Sequence, residues 1–318
     1  VVMRRAAAGG RGVPGRRGRA FFCRFWFKIE KSFPISGLCK ECSKNGYKIY
    51  ATCRSPEKAT DLQAFLKSQG HLPALTLDIA SKTSIEAYKT SISDISKLDL
   101  LINNAGISNA NHPNDPASTC LAQEFDQVMH TNVTGSLMVT QAFIPLLSKA
   151  DFPKVVNISS ALGSCTGLAS YSSEPKFLTT SYQCSKAALN MLTKCLADDM
   201  KNITFLAVHP GWVQTDMGSS NNRNPPVTIE DSAQGIFKVV AEMQVKQSGG
   251  FVNFDGKVLP YWRWIILKVS FQIKHFWDLF QKHFKKSVRF FSVFQSSCLS
   301  RKPLNQTGWD QLTSNPLP

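Results

Sequence analysis

The sequence predicts an α/β protein: a Rossmann-type, doubly wound parallel sheet in a single domain, with an extension at each end. Three observations point there. Short apolar or β-branched runs alternate with longer helical patterns through the middle of the chain, an order that implies parallel strands joined by crossover helices. The runs are almost continuously apolar, as strands covered on both faces should be. Polar residues gather at the carboxyl ends of the runs, where open α/β sheets bind ligands.

Taken in order, YKIYATC (47–53) reads as a strand and PEKATDLQAFLKSQG (56–70) as a helix. PALTLDI (73–79) is a strand, followed by a helical stretch over 82–96. LDLLINNAG (98–106) is a strand running into a glycine turn, and 121–149 carries one long helical pattern. KVVNISS (154–160) is the next strand, and 179–200 forms a helix. ITFLAVHPG (203–211) follows. Thr228-Ile-Glu-Asp231 resembles a capping box opening a helix to about 245, and GGFVNFDG (249–256) is the last strand.

The chain of 318 residues, 43% hydrophobic and 19% charged, suits one sizeable α/β domain. Its net charge of +15 sits at the ends. Residues 1–31 hold nine Lys/Arg and one acid, and 262–318 hold nine and two, whereas 32–261 holds nineteen of each. A neutral middle is poor ground for a phosphate backbone, so no nucleic-acid partner is expected. The nine cysteines are scattered except for Cys39-Lys-Glu-Cys42. No second pair follows at zinc-finger spacing, so no metal is expected and the pair reads as two small residues on a helix. Unpatterned thiols suit a reducing compartment, and the expected location is cytoplasmic. Mitochondrial import is the alternative if the Arg-rich start is a presequence. No run of eighteen apolar residues occurs, so no spanning helix is expected.

In SYQCSKAALN, Tyr182 and Lys186 are four residues apart, one turn along the same helix face. That spacing holds a phenol beside an ammonium, an arrangement for proton transfer, although ordinary amphipathic helices contain it too. Cys53-Arg54, Asp78, Asn103-Asn104, Ser159-Ser160 and the loop after Pro210-Gly211 all fall at carboxyl ends of strands. Each has a plainer reading as a turn former, a helix kink or a solvated charge.

Together, NNAG at 103–106, NISS at 157–160, YQCSK at 182–186 and HPGWVQTDMG at 209–218 resemble the short-chain dehydrogenase/reductase family. With GGFVNFDGKVLPY at the end, the likeness is to its C-factor and sniffer-like carbonyl reductases, over about residues 37–261. The resemblance implies an NADPH-dependent reductase of aldehydes or ketones, with a small carbonyl compound as substrate and a homo-oligomer as its assembly. It makes Tyr182 the catalytic tyrosine, Lys186 its lysine, Ser160 the substrate-orienting serine, and Asn132 the holder of a water in a proton relay. It assigns Asp78 and Ile79 to adenine contacts, Asn104, Ala105 and Gly106 to the cofactor-supporting turn, and Val213 and Thr215 to the carboxamide and phosphate side. Free tyrosine titrates near pH 10, and a neighbouring ammonium and an oxidised nicotinamide are expected to lower that value. The strand ending in Cys53-Arg54 carries no acid to hold a ribose hydroxyl pair, and a guanidinium can meet a 2′-phosphate. NADP(H) is therefore expected, with Arg54 among its contacts.

Three departures shape the remaining expectations. Ser160 and Tyr182 lie twenty-two positions apart, a gap usually shorter in the family, which leaves a later hydroxyl as an alternative to Ser160. The family's TGxxxGxG turn should fall near 32–35, where KSFPISG stands instead. Gly10-Arg-Gly12-Val-Pro-Gly15 fits G-x-G-x-x-G only formally, because no convincing strand precedes it and no apolar helix follows. Residues 1–34 are thus read as a non-family extension and 35–261 as the domain, with its first strand and Gly-rich turn degenerate or absent. AFFCRFWFKI (20–29) would replace the strand only by burying Arg24 or Lys28. Residues 262–318 form a basic, aromatic tail. Ile266, Val269, Ile273, Trp277, Phe280, Phe284, Val288 and Phe291 recur at helical spacing, which fits contact of 262–291 with a membrane surface. The alternative to an enzyme is a non-catalytic relative with a degenerate cofactor site, held at a membrane by this tail. The 217–230 loop is the expected lid.

Overall fold

A computed structural model describes residues 20–24, 35–108, 115–168, 179–219 and 224–261. Seven parallel strands form one sheet in the order β3-β2-β1-β4-β5-β6-β7. They are β1 (Ala20–Arg24), β2 (Lys48–Cys53), β3 (Leu75–Thr76), β4 (Leu100–Asn103), β5 (Lys154–Ile158), β6 (Thr204–His209) and β7 (Gly250–Asn253). The main helices are α1 (Ile35–Lys44), α2 (Thr60–Ser68), α3 (Lys82–Ser91), α4 (Ala122–Met129), α5 (Gly135–Leu147), α7 (Thr180–Asp199) and α9 (Ile229–Glu242). Two short turns of helix, α6 (Cys165–Leu168) and α8 (Asp216–Ser219), complete the set.

The apolar runs become two cores because successive strand side chains point to opposite faces. Ile49, Leu100, Ile102, Val156, Ile158, Leu206 and Val208 pack on one side with Leu38, Leu62, Leu66 and Ile236 of α1, α2 and α9. Tyr50, Leu101, Val155 and Phe205 pack on the other with Ile85, Val139, Phe143 and Leu196 of α3, α5 and α7. Cys39 and Cys42 lie buried in the first core. Gly37 lets α1 approach α9: a Cβ there would fall 2.9 Å from that of Ala233.

Of the first strand, expected to be degenerate or absent, a five-residue piece is present, ahead of the expected domain start at 35. Ala20–Arg24 lies between β2 and β4, with Phe21 opposite both Ile49 and Leu100. Without it, two inner strands would each present a row of unpaired N–H and C=O groups, and any short extended segment that pairs on both sides removes that cost. Arg24 is the last residue of the strand, at the carboxyl edge of the sheet. Residues 32–34 of the expected Gly-rich-turn position, the decoy at 10–15 and the tail from 262 lie outside the described residues, while Ile35 opens α1.

Two elements differ from their sequence patterns. The 73–79 run pairs only at Leu75–Thr76, making a minimal edge strand. The 121–149 pattern is interrupted by a π-helical segment, His130–Thr134. At the other edge, the chain after β7 folds back. Asn253 N donates to Lys257 O (2.8 Å) and Leu259 N to Phe251 O (2.8 Å), covering the exposed side of β7. No helix among the described residues is long and apolar enough to cross a membrane.

Candidate active site

Helix α7 carries the central pair, and its N-terminus is tied to a distant loop. Thr179, the residue before the helix, makes no side-chain cap. Instead the Asp115 carboxylate accepts from Ser181 N (3.0 Å) and Ser181 Oγ (2.5 Å), while Thr180 N donates to Asp115 O (3.1 Å). A carboxylate at a helix N-terminus satisfies orphan amides and meets the positive end of the dipole. The buried face of α7 begins polar, with Ser181, Ser185, Lys186 and Asn190, and ends apolar at Leu196 and Ala197. The apolar end anchors the helix in the core, while the polar end faces the carboxyl edge of the sheet.

Lys186 is 3% exposed, and its Nζ donates to Ile158 O (2.8 Å) at the end of β5. The same Nζ sits 5.4 Å from the centroid of the Tyr182 ring. Burial holds the Lys186 ammonium down to about 8. Burial pushes the Tyr182 phenol up to about 12, outweighing the lowering effect of the nearby Ser160 hydroxyl. The depression expected from Lys186 is therefore outweighed in the fold. The ammonium lies over the ring and is itself desolvated, so burial outweighs it. The later hydroxyls at 170, 172 and 173 lie outside the described residues.

Asn132 lies fully buried in the π-helical segment. Its side-chain donors are both used: Oδ1 accepts from Ile107 N (2.7 Å), and Nδ2 donates to Ile107 O (2.8 Å) and Ser185 Oγ (2.9 Å). Both oxygens of Asn132 keep acceptor capacity, since Oδ1 takes only Ile107 N among these bonds and the main-chain carbonyl also receives Ser136 Oγ (2.9 Å). Gly106 lies between the two partners, since a Cβ there would stand 3.3 Å from both Asn132 Oδ1 and Lys186 Nζ.

The other candidates line the carboxyl edge without touching this cluster directly. Arg54 stands exposed just past β2 and feels the attraction of Asp78. Asp78 Oδ1 accepts from Ala80 N (2.9 Å), and Ile79 is buried with Ala105, packed so closely on α5 that a Cβ at Gly135 would fall 2.7 Å from it. Thr215 and Val213 are buried, and Thr215 Oγ1 accepts from Gly218 N (3.1 Å) at the start of the lid segment. Thr52 Oγ1 and Asn104 Oδ1, at the ends of β2 and β4, are shielded from solvent with no partner among the described residues. Buried polar atoms of this kind are normally paired, so both mark places where a polar ligand fits.

Sequence reading did not find Asp115 or Ser185, and it placed Ser159 at a strand end without a role. Ser159 Oγ donates to Lys186 O (3.3 Å), and Ser185 Oγ, besides receiving Asn132, donates to Tyr182 O (2.7 Å). For Ser185 a signal existed, because a serine one turn from the tyrosine's carbonyl can bond back to it. For Asp115 there was none, as its partner lies 66 positions away.

This arrangement, a Tyr–Lys turn on a helix at the carboxyl edge of a doubly wound sheet with Ser and Asn converging on it, defines an oxidoreductase site of the dehydrogenase type. The short-chain dehydrogenase family model matches residues 36–226, and the chain belongs to that family. An oxidoreductase of Schizosaccharomyces pombe is 31% identical over 247 residues, covering 70% of this chain and 92% of its own length. The NADPH-bound carbonyl reductase from chicken fatty liver is 32% identical, with a TM-score of 0.66 over 75% of this chain and 99% of that one. The carbonyl reductase Sniffer of D. melanogaster is 27% identical, with a TM-score of 0.65 over 76% and 99%.

Proposed function

We propose that this chain is an NADPH-dependent carbonyl reductase that protonates its substrate oxygen from Tyr182. The observation that carries the reading is the buried Lys186 ammonium set over the Tyr182 ring, with the Ser160 hydroxyl near the phenol. Arg54, exposed just past β2, supports a 2′-phosphate, and the similar chicken enzyme is NADPH-bound. The orphaned Thr52 and Asn104 oxygens suit polar groups of a dinucleotide laid along the same edge.

A reduced nicotinamide, when bound, supplies the hydride. The chain's residues do the rest. Ser160 and Tyr182 hold the carbonyl oxygen between two hydroxyls, so charge developing there is met by donors already in place. Tyr182, with a phenol held near 12, is protonated at neutral pH, which fits it to give a proton during reduction. Lys186, with one protein acceptor at Ile158 O, keeps donor capacity for the ribose side and stabilises the phenolate left after transfer. The Asn132 clamp fixes the 106–107 turn against Lys186. The substrate is a small aldehyde or ketone, and contact of 262–291 with a membrane surface and homo-oligomer assembly belong to the same proposal.

The test is turnover of simple aromatic aldehydes with NADPH, alongside nucleotide binding by fluorescence. Tyr182→Phe should cut kcat by about 10³-fold while leaving NADPH binding intact. Equal turnover by the variant would overturn the reading, as would a chain that binds no nucleotide at all.

A further inference from the structure

The turn that follows Ser160 is held from both sides. On its inner side it lies directly against α7. Gly163 N donates to Ser160 O (2.9 Å), Leu162 N to Ser160 Oγ (3.2 Å), and a Cβ on Gly163 would fall 2.6 Å from the Lys186 carbonyl carbon. Asn190 Nδ2 reaches Gly163 O at 3.4 Å. On its outer side stands the very end of the domain. The buried Ser164 Oγ donates to Pro260 O (2.5 Å), and Cys165 N donates to Tyr261 O (3.2 Å).

Tyr261 is itself fixed twice. Its hydroxyl donates to Gly249 O (2.5 Å), and its ring stacks on Phe251 with centroids 5.8 Å apart and planes 26° apart. Phe251 belongs to β7, whose free edge the 257–259 return segment covers. A continuous chain of contacts therefore runs from the sheet edge, through Tyr261 and Ser164, to the turn at Ser160 and onto Lys186.

The geometry points to Ser164 and Tyr261 as positioning residues: together they press the Ser160 turn onto α7 and so set where the Ser160 hydroxyl stands relative to Tyr182. This rests on the carbonyl-reductase reading above. Neither residue touches the reacting atoms. The turn has no regular ladder of its own, and the segment after it, 169–178, lies outside the described residues, so within the described chain the outer restraint comes from Pro260–Tyr261. Small displacements of a hydrogen-bonding group at a reacting centre have large effects on rate, which is how a remote latch reaches the chemistry.

Two conservative variants test it. Ser164→Ala removes the bond to Pro260, and Tyr261→Phe removes the bond to Gly249 while keeping the stacked ring. Each should lower kcat between about 5- and 50-fold with substrate KM and NADPH affinity little changed. Placed in a Ser160→Ala background, neither should lower kcat further, because the hydroxyl being positioned is gone. Equal losses in both backgrounds, or no loss in either, would overturn the proposal. Hydrogen exchange of the peptide spanning 160–165 gives a readout independent of turnover. Both variants should speed its exchange about tenfold or more, and unchanged protection would also overturn the latch. If the unmodified chain turns over no carbonyl compound, the functional reading fails by itself, and the exchange measurement alone decides the latch.

Discussion

The two ends of the same sheet edge, the Tyr182 cluster after β4–β6 and the Gly-rich-turn position after β1, show how differently structure and chemistry constrain a sequence. Around Tyr182 the family's residue types are present and meet: Ser160 near the phenol, Lys186 over the ring, and Asn132 locked to Ile107 and Ser185. After β1 the sequence runs FWFKIEKSFP, without a glycine, yet Ala20–Arg24 still pairs with both neighbours. A strand slot asks only for a short extended segment with free N–H and C=O groups, and many sequences supply one. A turn that brings main-chain amides against a pyrophosphate asks for residues without side chains at set positions, and few sequences do.

The largest expected effect strikes the β1 side of this contrast. Phe22→Pro removes a ladder donor in a strand paired on both sides, and should cost about 3 kcal/mol or more in urea denaturation. Unaltered stability would mean that β1 contributes nothing to the sheet. Next, Arg54→Glu should weaken NADPH binding about 30-fold and NADH binding little, measured by fluorescence titration. Equal losses for both nucleotides would remove Arg54 from the 2′-phosphate.

A smaller effect sharpens the Tyr182 side. Lys186 titrates near 8 in the fold against 10.5 when free, so between those values the folded chain binds fewer protons than the unfolded one and stability rises with pH. Lys186→Met should therefore stabilise the fold below pH 8, by about 1–2 kcal/mol after the lost bond to Ile158 O is counted, and the gain should vanish by about pH 10.5. Activity should be lost at every pH. A gain that persisted at pH 11 would show that packing, not charge burial, is its source. The smallest effect is expected of Gly106→Ala, whose methyl would press on Asn132 and Lys186 at 3.3 Å. It should lower kcat about 3- to 10-fold, with Tm within about 2 °C of the parent. A change in Tm without a change in rate would separate Gly106 from the chemistry.

Much of the candidate site was legible because its signals are local. Tyr182 and Lys186 share a face through helical periodicity, and Ser160, Asn104 and Arg54 were found by the ends of apolar runs. What escaped was long-range. Asp115 caps α7 from 66 positions away, and Ser185 meets Asn132 across 53. The break in the 121–149 helix was hidden too, because a π-helical segment leaves the apolar pattern nearly unchanged.

By itself the sequence determined the alternation of strands and helices, hence a parallel sheet with two buried faces, and it placed a phenol one turn from an ammonium. These follow from periodicity and residue chemistry, which act over a few positions. Only the tertiary structure decided that Ala20–Arg24 completes the sheet, that Asp115 meets Ser181 across 66 positions, and that burial outweighs the neighbouring charge in holding the phenol near 12. Those outcomes depend on which groups lose water together, and that is settled by segments far apart in the chain.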